Sequence, residues 1–96
     1  MHWNDFLYVL AVVETGSALR AAERLGVNQA TVLRRLDAIE AATGAQFFER
    51  TRSGLKPTEM GRLAAETAER IEQETQVFEK ALAARRRSLA GSVRLT

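Results

Sequence analysis

Two short segments with helical apolar spacing lie within residues 17–43 and are separated only by the tripeptide Gly26-Val27-Asn28. The first segment covers residues 18–25, and the second runs from 29 to about 42. Gly26 can adopt the positive φ that ends a helix, while Ser17 and Asn28 stand where N-cap residues belong. Two helices joined by so short a glycine-containing turn form a helix-turn-helix, and this motif constrains the rest of the fold.

The apolar residues of this motif define one shared buried side. The small Ala22 leaves room where the two helices cross, and Val32 reaches back from the second helix into the common core. Along the second helix the apolar residues recur in steps of four and three, which is the spacing of a core-facing stripe. The residues expected in this core are Leu19, Ala22, Leu25, Val32, Leu36 and Ile39.

The opposite side of the second helix carries several polar groups. It is expected to present Ala30, Leu33, Arg34 and Asp37, with Gln29 at the exposed N-terminus. A helix of this kind places its N-terminal residues on base edges in the DNA major groove, where Gln can bind adenine and Arg can bind guanine through two hydrogen bonds. Leu33 would fit against a thymine methyl group, although an incidental exposed leucine explains it equally well.

A basic segment follows this helix. Residues 46–50 and 55–57 flank the loop Thr51-Arg52-Ser53-Gly54, and short strands around such a loop predict a β-hairpin that Phe47 or Phe48 would anchor. By itself a solvated turn is the simpler explanation. Beside a helix-turn-helix we interpret the hairpin as a wing, which places cations near phosphates or in the minor groove. The cations on its exposed side are Arg50, Arg52 and Lys56.

The charges of the chain are unevenly distributed. The net charge of +2 over 96 residues is uninformative, but residues 20–56 carry seven bases against four acids, whereas residues 59–80 carry six acids against three bases. A phosphate backbone would repel the acidic half. We therefore assign DNA to the basic half, which contains the helix-turn-helix and the wing, and a different role to the acidic half.

Two further helices are expected on either side of these elements. Residues 4–14 predict a first helix capped by Asn4, and residues 59 to about 87 predict a long last helix that Gly91 ends, after which residues 91–96 would begin a strand. The apolar residues of the long helix follow a coiled-coil stripe, which favours a two-fold homodimer over a solvated connector. The expected seam contains Ala64, Ala68, Ile71, Thr75, Phe78 and Leu82.

Three segments now carry a family resemblance: AAERLGVNQATV, LRRLDAIE and FFERTRSGLKPTEMG. With the long helix that follows, the chain resembles the N-terminal region of LysR-type transcriptional regulators. The resemblance implies a mainly α fold with a winged helix-turn-helix over residues 1–57 and a dimerising linker helix over residues 58–89. Residues 90–96 would begin a C-terminal domain that binds a small-molecule co-inducer. Double-stranded DNA is the implied partner, and the full-length proteins often form tetramers.

The resemblance also implies which residues contact DNA. Ala30 stands where proline is frequent in the family, and Leu33 stands where serine is usual, so an altered site preference is expected. The contacts that it implies are Gln29, Ala30, Leu33 and Arg34 on the second helix of the motif and Arg50 and Arg52 on the wing. We add Thr31 and Arg35, on the same helix, as further candidates for DNA contact.

Other functions find less support in the sequence. The chain has no cysteine and a single histidine, His2, so it offers no metal or nucleophile cluster, no cofactor motif and no basis for an enzyme. A winged-helix protein-interaction module remains an alternative, but such a module has no need for a basic outer face. No apolar run approaches the length of a membrane span and no signal-peptide pattern is present, so no membrane partner is expected and the cytoplasm is the expected compartment.

Overall fold

The computed structural model describes residues 1–95, with side chains up to Leu89. Its elements in chain order are α1 (Trp3–Thr15), α2 (Ala18–Leu25), α3 (Gln29–Thr43), β1 (Phe48–Thr51), β2 (Gly54–Pro57) and α4 (Glu59–Leu95). The predicted fold class, a mainly helical winged helix-turn-helix followed by a long helix, is confirmed. Among the described residues, no helix combines the length and the apolar character that a membrane crossing requires.

The start of α1 differs from the prediction. Its N-cap is His2 and not Asn4: the His2 Nδ1 accepts a hydrogen bond of 3.4 Å from the Asn4 N–H, and the Asp5 carboxylate accepts one of 2.8 Å from the His2 N–H. This reciprocal arrangement is a capping box, which satisfies backbone donors that the helix start would otherwise leave free. The helix therefore begins one residue before the position expected to cap it.

The turn between α2 and α3 follows the predicted geometry. Gly26 has φ of 72°, in the left-handed region that favours glycine. The Ser17 hydroxyl accepts a hydrogen bond of 3.1 Å from the Arg20 N–H, and the Asn28 side-chain oxygen accepts one of 2.9 Å from the Thr31 N–H. Both predicted N-caps are thus confirmed, and they set where α2 and α3 begin.

The core between α1, α2 and α3 departs from the prediction on α2. Ala22, Val32, Leu36 and Ile39 are buried as expected, and Leu25 is half-buried, whereas Leu19 is 54% exposed. The buried face of α2 consists of alanines, because these small side chains allow the neighbouring helices to approach closely. Successive residues are about 100° apart around a helix, so position 19 is turned away from this face. The alanines are Ala18, Ala21 and Ala22.

The hairpin is a short antiparallel pair fixed to the helices at its base. Thr51 pairs with Gly54 across the two-residue loop Arg52-Ser53. Phe47 and Phe48 are both buried, which confirms the predicted anchor, although β1 begins two residues later than expected. The Leu55 N–H donates a hydrogen bond of 3.1 Å to the carbonyl oxygen of Gly16, in the turn between α1 and α2. This bond holds the wing against the helix-turn-helix.

The first turns of α4 pack on α1. Ala64 and Ala68, which were expected in a dimer seam, are buried within this chain, so that part of the prediction is wrong. The helix also continues through Gly91 to Leu95, which contradicts the predicted end. An isolated glycine costs a helix only about 1 kcal/mol, and the preceding turns rich in Ala and Arg favour its continuation. The last residue of the predicted strand, Thr96, lies outside the described residues.

Candidate nucleic-acid interface

The outer face of α3 presents hydrogen-bonding side chains to solvent. Gln29, Ala30 and Arg34 are exposed on its first two turns, as predicted. Thr31 is half-buried, and its hydroxyl lies 2.9 Å from the Asn28 side-chain oxygen and 3.4 Å from the Arg34 Nη2. The cap of α3 is thereby connected to Arg34 through Thr31. The guanidinium remains outside the core, available to a ligand that approaches this face.

Leu33 is less exposed than predicted. It is half-buried and packs against the core. Together with Phe48, Arg50 and Leu55, it lines a small crevice between α3 and the wing. The leucine thus has a packing role between the two parts of the interface, and only part of its surface remains open.

Arg35 is oriented differently from the other candidates. Its Nη1 lies 3.3 Å from the Asp5 Oδ1, and its guanidinium carbon lies 4.8 Å from the centre of the Tyr8 ring. The ion pair and the cation–π contact join α3 to α1. The structure therefore separates Arg35 from Arg34, although the two are adjacent in the sequence.

The wing places two arginines beside α3. Arg50 and Arg52 are both exposed, and the Arg50 Nη2 lies 3.9 Å from the Asp37 Oδ1. An ion pair of this length between two exposed groups contributes little to stability, so Arg50 can exchange Asp37 for a phosphate at small cost. Arg50 and Gln29 also line one concave surface between the start of α2, the start of α3 and the wing. The structure thus brings Arg50 beside α3, and Arg52 lies exposed two residues further along the same hairpin.

A carboxylate that the sequence analysis did not single out holds the wing against α3. The Glu40 Oε2 accepts a hydrogen bond of 2.6 Å from the Phe47 N–H and one of 3.4 Å from the Phe48 N–H. The Phe47 carbonyl oxygen accepts a hydrogen bond of 2.9 Å from the Thr58 N–H. A Cβ on Gly61 would collide with the same oxygen, so α4 approaches Phe47 closely. Three elements, α3, the wing and α4, therefore meet at Phe47. A helical glutamate gives no sequence signal for such a contact.

The distal half of α4 carries an exposed apolar stripe. Phe78 is 65% exposed and Leu82 is 38% exposed, and Leu89 continues the stripe one heptad beyond Leu82. Ile71 and Thr75, earlier on the stripe, are half-buried. The expected seam is therefore divided: its first part is used within the chain, and its second part is uncovered in the monomer.

Comparison with known proteins assigns the family. A family model described as bacterial regulatory helix-turn-helix protein, lysR family, matches residues 3–62. The small neutral protease regulatory protein of Streptomyces coelicolor is 41% identical over 61 residues, which are 64% of this chain and 19% of that protein. The transcriptional regulator ClcR of Pseudomonas putida is 32% identical over 95 residues, which are 99% of this chain and 32% of ClcR. The chain thus spans about a fifth to a third of the length of these relatives.

Solved structures of similar fold include complexes with DNA. The CbnR DNA-binding domain in a complex with DNA matches with a TM-score of 0.75 and 34% identity, over 88% of this chain and 98% of that one. The BenM DNA-binding domain in complex with the benA site 1 DNA matches with a TM-score of 0.71 and 29% identity, over 90% and 94% of the two chains. This chain therefore belongs to the lysR family of bacterial regulatory helix-turn-helix proteins and carries the winged helix-turn-helix DNA-binding domain of a transcriptional regulator.

Proposed function

We propose that this domain binds double-stranded DNA sequence-specifically, with α3 in the major groove and the wing on the adjacent backbone or in the minor groove. The observation that carries the proposal is the exposure of Gln29 and Arg34 on the first two turns of α3, with the wing residue Arg50 lining the same concave surface as Gln29. Arg52 is exposed in the loop of the same hairpin. Such a protein acts on DNA in the bacterial cytoplasm and needs no catalytic group.

The residues of α3 receive different roles in this proposal. The Gln29 amide and the Arg34 guanidinium bind base edges, because each can form two parallel hydrogen bonds. Thr31 helps to orient Arg34 through their 3.4 Å contact. Ala30 has no polar group and allows the helix to approach the bases closely. Arg35 serves the packing of α3 on α1 through Asp5, and we assign it no base contact.

Selection of bound sequences from a random DNA pool tests the proposed function directly. We expect an enriched motif, with half-sites spaced by about one helical turn or a multiple of it if the protein binds as a two-fold dimer. Affinity for the enriched DNA should fall steeply with salt, by about 0.9 log unit per log unit of salt for each phosphate neutralised. An unenriched pool together with a flat salt response would instead support the protein-interaction module.

Replacing Arg34 with alanine is expected to relax sequence preference. A bidentate arginine–guanine contact contributes about 1–3 kcal/mol of discrimination at one base pair. Affinity of the variant for the selected DNA should fall, while affinity for DNA substituted at that base pair should change little. The measurement is a binding titration with both DNAs, and Arg70→Ala on the acidic helix is the matched control. Equal losses on selected and random DNA would make Arg34 a phosphate contact.

Replacing Arg52 with alanine is expected to weaken binding to all sequences by a similar factor. Arg52 lies exposed in the two-residue loop of the wing, and we assign it a phosphate contact, which carries no sequence information. Removing one phosphate contact should reduce the slope of log affinity against log salt by about 0.9. Titrations at four or five salt concentrations measure the slope. An unchanged slope with an altered base preference would place Arg52 on bases.

We further propose that two copies associate through the distal half of α4. Phe78, Leu82 and Leu89 form the uncovered stripe, and Ile71 and Thr75 lie at its inner end. A helix with one exposed apolar stripe and charged residues elsewhere is most simply covered by a second copy of itself. For the longer proteins of this family, we expect residues 90–96 to lead into a further domain that binds a small-molecule co-inducer, and tetramers to form.

A further inference from the structure

Leu19 is a large apolar side chain on the surface of the helix-turn-helix. It is 54% exposed on the first turn of α2, because the buried face of that helix is formed by alanines. The exposed surface of a leucine contributes a favourable free energy only when a ligand or a partner removes it from water. A single exposed leucine needs no explanation by itself, so its surroundings decide whether it has a function.

Leu33 lies on the same concave surface as Leu19. This surface runs between the start of α2, the start of α3 and the wing, and Gln29 and Arg50 also line it. One side of Leu33 packs against the core, and the remaining side faces this surface. Leu19 and Leu33, which we call the apolar pair, therefore share one surface with an amide of α3 and a cation of the wing.

Nucleic acid is the occupant that these surroundings favour. The Gln29 amide fits base edges and the Arg50 guanidinium fits phosphates, whereas an apolar peptide would leave both of these groups without partners. The apolar pair is also continuous with the exposed face of α3 to which we assign the major groove. In the major groove, the apolar group that a base presents is the C5-methyl of thymine.

We propose that Leu19 and Leu33 select thymine by covering its methyl group. The inference rests on the proposed DNA binding and extends it, because it assigns base preference to two residues that have no hydrogen-bonding side chain. It also gives a function to the exposed Leu19, which takes no part in the packing of α2 on the core. Covering one methyl group changes affinity by about fourfold, since the burial of a single carbon is small beside a bidentate hydrogen bond.

The test uses DNA in which single thymines are replaced by deoxyuridine, a change that removes only the methyl group. The starting DNA is the sequence selected from the random pool, and each thymine is replaced in turn. We expect the protein to lose about fourfold in affinity at one or two thymines and to be unaffected at the others. If no position changes affinity by more than about 1.5-fold while the selected DNA still binds, the inference is overturned and the proposed function stands.

Alanine variants assign the effect to the two residues. Leu19→Ala, at an exposed position, should fold normally and should lose the sensitivity to deoxyuridine at one of these thymines. Leu33→Ala should do the same at its own position, with its folding checked by thermal unfolding. Leu63→Ala, at another exposed position on α4, is the matched control and should keep the full sensitivity. Sensitivity that persists unchanged in both alanine variants would show that another residue contacts the methyl groups, and failure of the protein to select any DNA would overturn both proposals.

Discussion

Replacing Phe78 with glutamate is expected to convert the proposed dimer into monomers. Phe78 is 65% exposed on the uncovered stripe of α4, so a second copy packed on this stripe would bury it. A glutamate at this place in each copy would put a charge into an apolar contact and would have to lose its hydration. Sedimentation equilibrium should show a single species of 10.6 kDa in place of one with twice that mass.

The same substitution should greatly weaken binding to DNA with two half-sites. In a dimer, binding of the first half-site raises the effective concentration of the second copy at the other half-site. A monomer loses this contribution, which increases affinity by a factor on the order of 10²–10⁴. Affinity for a single half-site should change little, because Phe78 is remote in sequence from α3 and the wing. Val77→Glu is the matched control, since Val77 is 62% exposed on the same helix but lies outside the stripe. A Phe78→Glu protein that still sediments as a dimer would refute the proposed seam.

Replacing Glu40 with alanine is expected to have the second-largest effect, on both stability and DNA binding. The carboxylate accepts hydrogen bonds from the Phe47 and Phe48 N–H groups, and its removal leaves both donors in a partly buried place. Hydrogen bonds to a charged group contribute about 1.5–3 kcal/mol, so the free energy of unfolding should fall by a similar amount. Denaturant titration followed by circular dichroism measures this change. Glu40→Gln keeps an acceptor oxygen and should retain part of the stability.

A double-mutant cycle separates the positioning of the wing from a general loss of stability. If Glu40 holds the wing at the correct distance from α3, then Arg52→Ala should cost less DNA affinity in the Glu40→Ala background than in the parent protein. We expect a coupling free energy of about 0.5 kcal/mol or more, because both residues then act through one element. Affinities measured well below the unfolding temperature give this quantity. Strictly additive effects would show that Glu40 serves stability alone.

Much of the fold was predictable because the signals that define it are local. The bounds of α2 agree with the prediction, since a cap residue and a positive-φ glycine lie directly at its two ends. The exposure of Gln29 and Arg34 also followed from the apolar stripe on the opposite side of α3. The DNA contacts assigned to these side chains remain predictions until the variants are measured.

The errors in the predicted core and in the predicted seam concern apolar residues with more than one possible covering partner. Leu19 belongs to a helix of only eight residues. The apolar pattern of so short a helix fits either of two alternative buried faces, which are shifted by one residue from each other. Ala64 and Ala68 fit a coiled-coil stripe, but small side chains also suit the close packing of α4 on α1. Periodicity identifies the apolar side of a helix and does not identify its partner.

What the sequence determined by itself is therefore the set of helices, the turn between them and the side of α3 that faces solvent. Each of these depends on interactions within a few residues, and such interactions are visible in a linear pattern. Only the tertiary structure decided that Arg35 pairs with Asp5, that Glu40 holds the wing, and that just the distal half of the α4 stripe is uncovered. These contacts depend on how separate elements pack against each other. The residues that make them are far apart in the sequence, and their spacing does not indicate that they will meet.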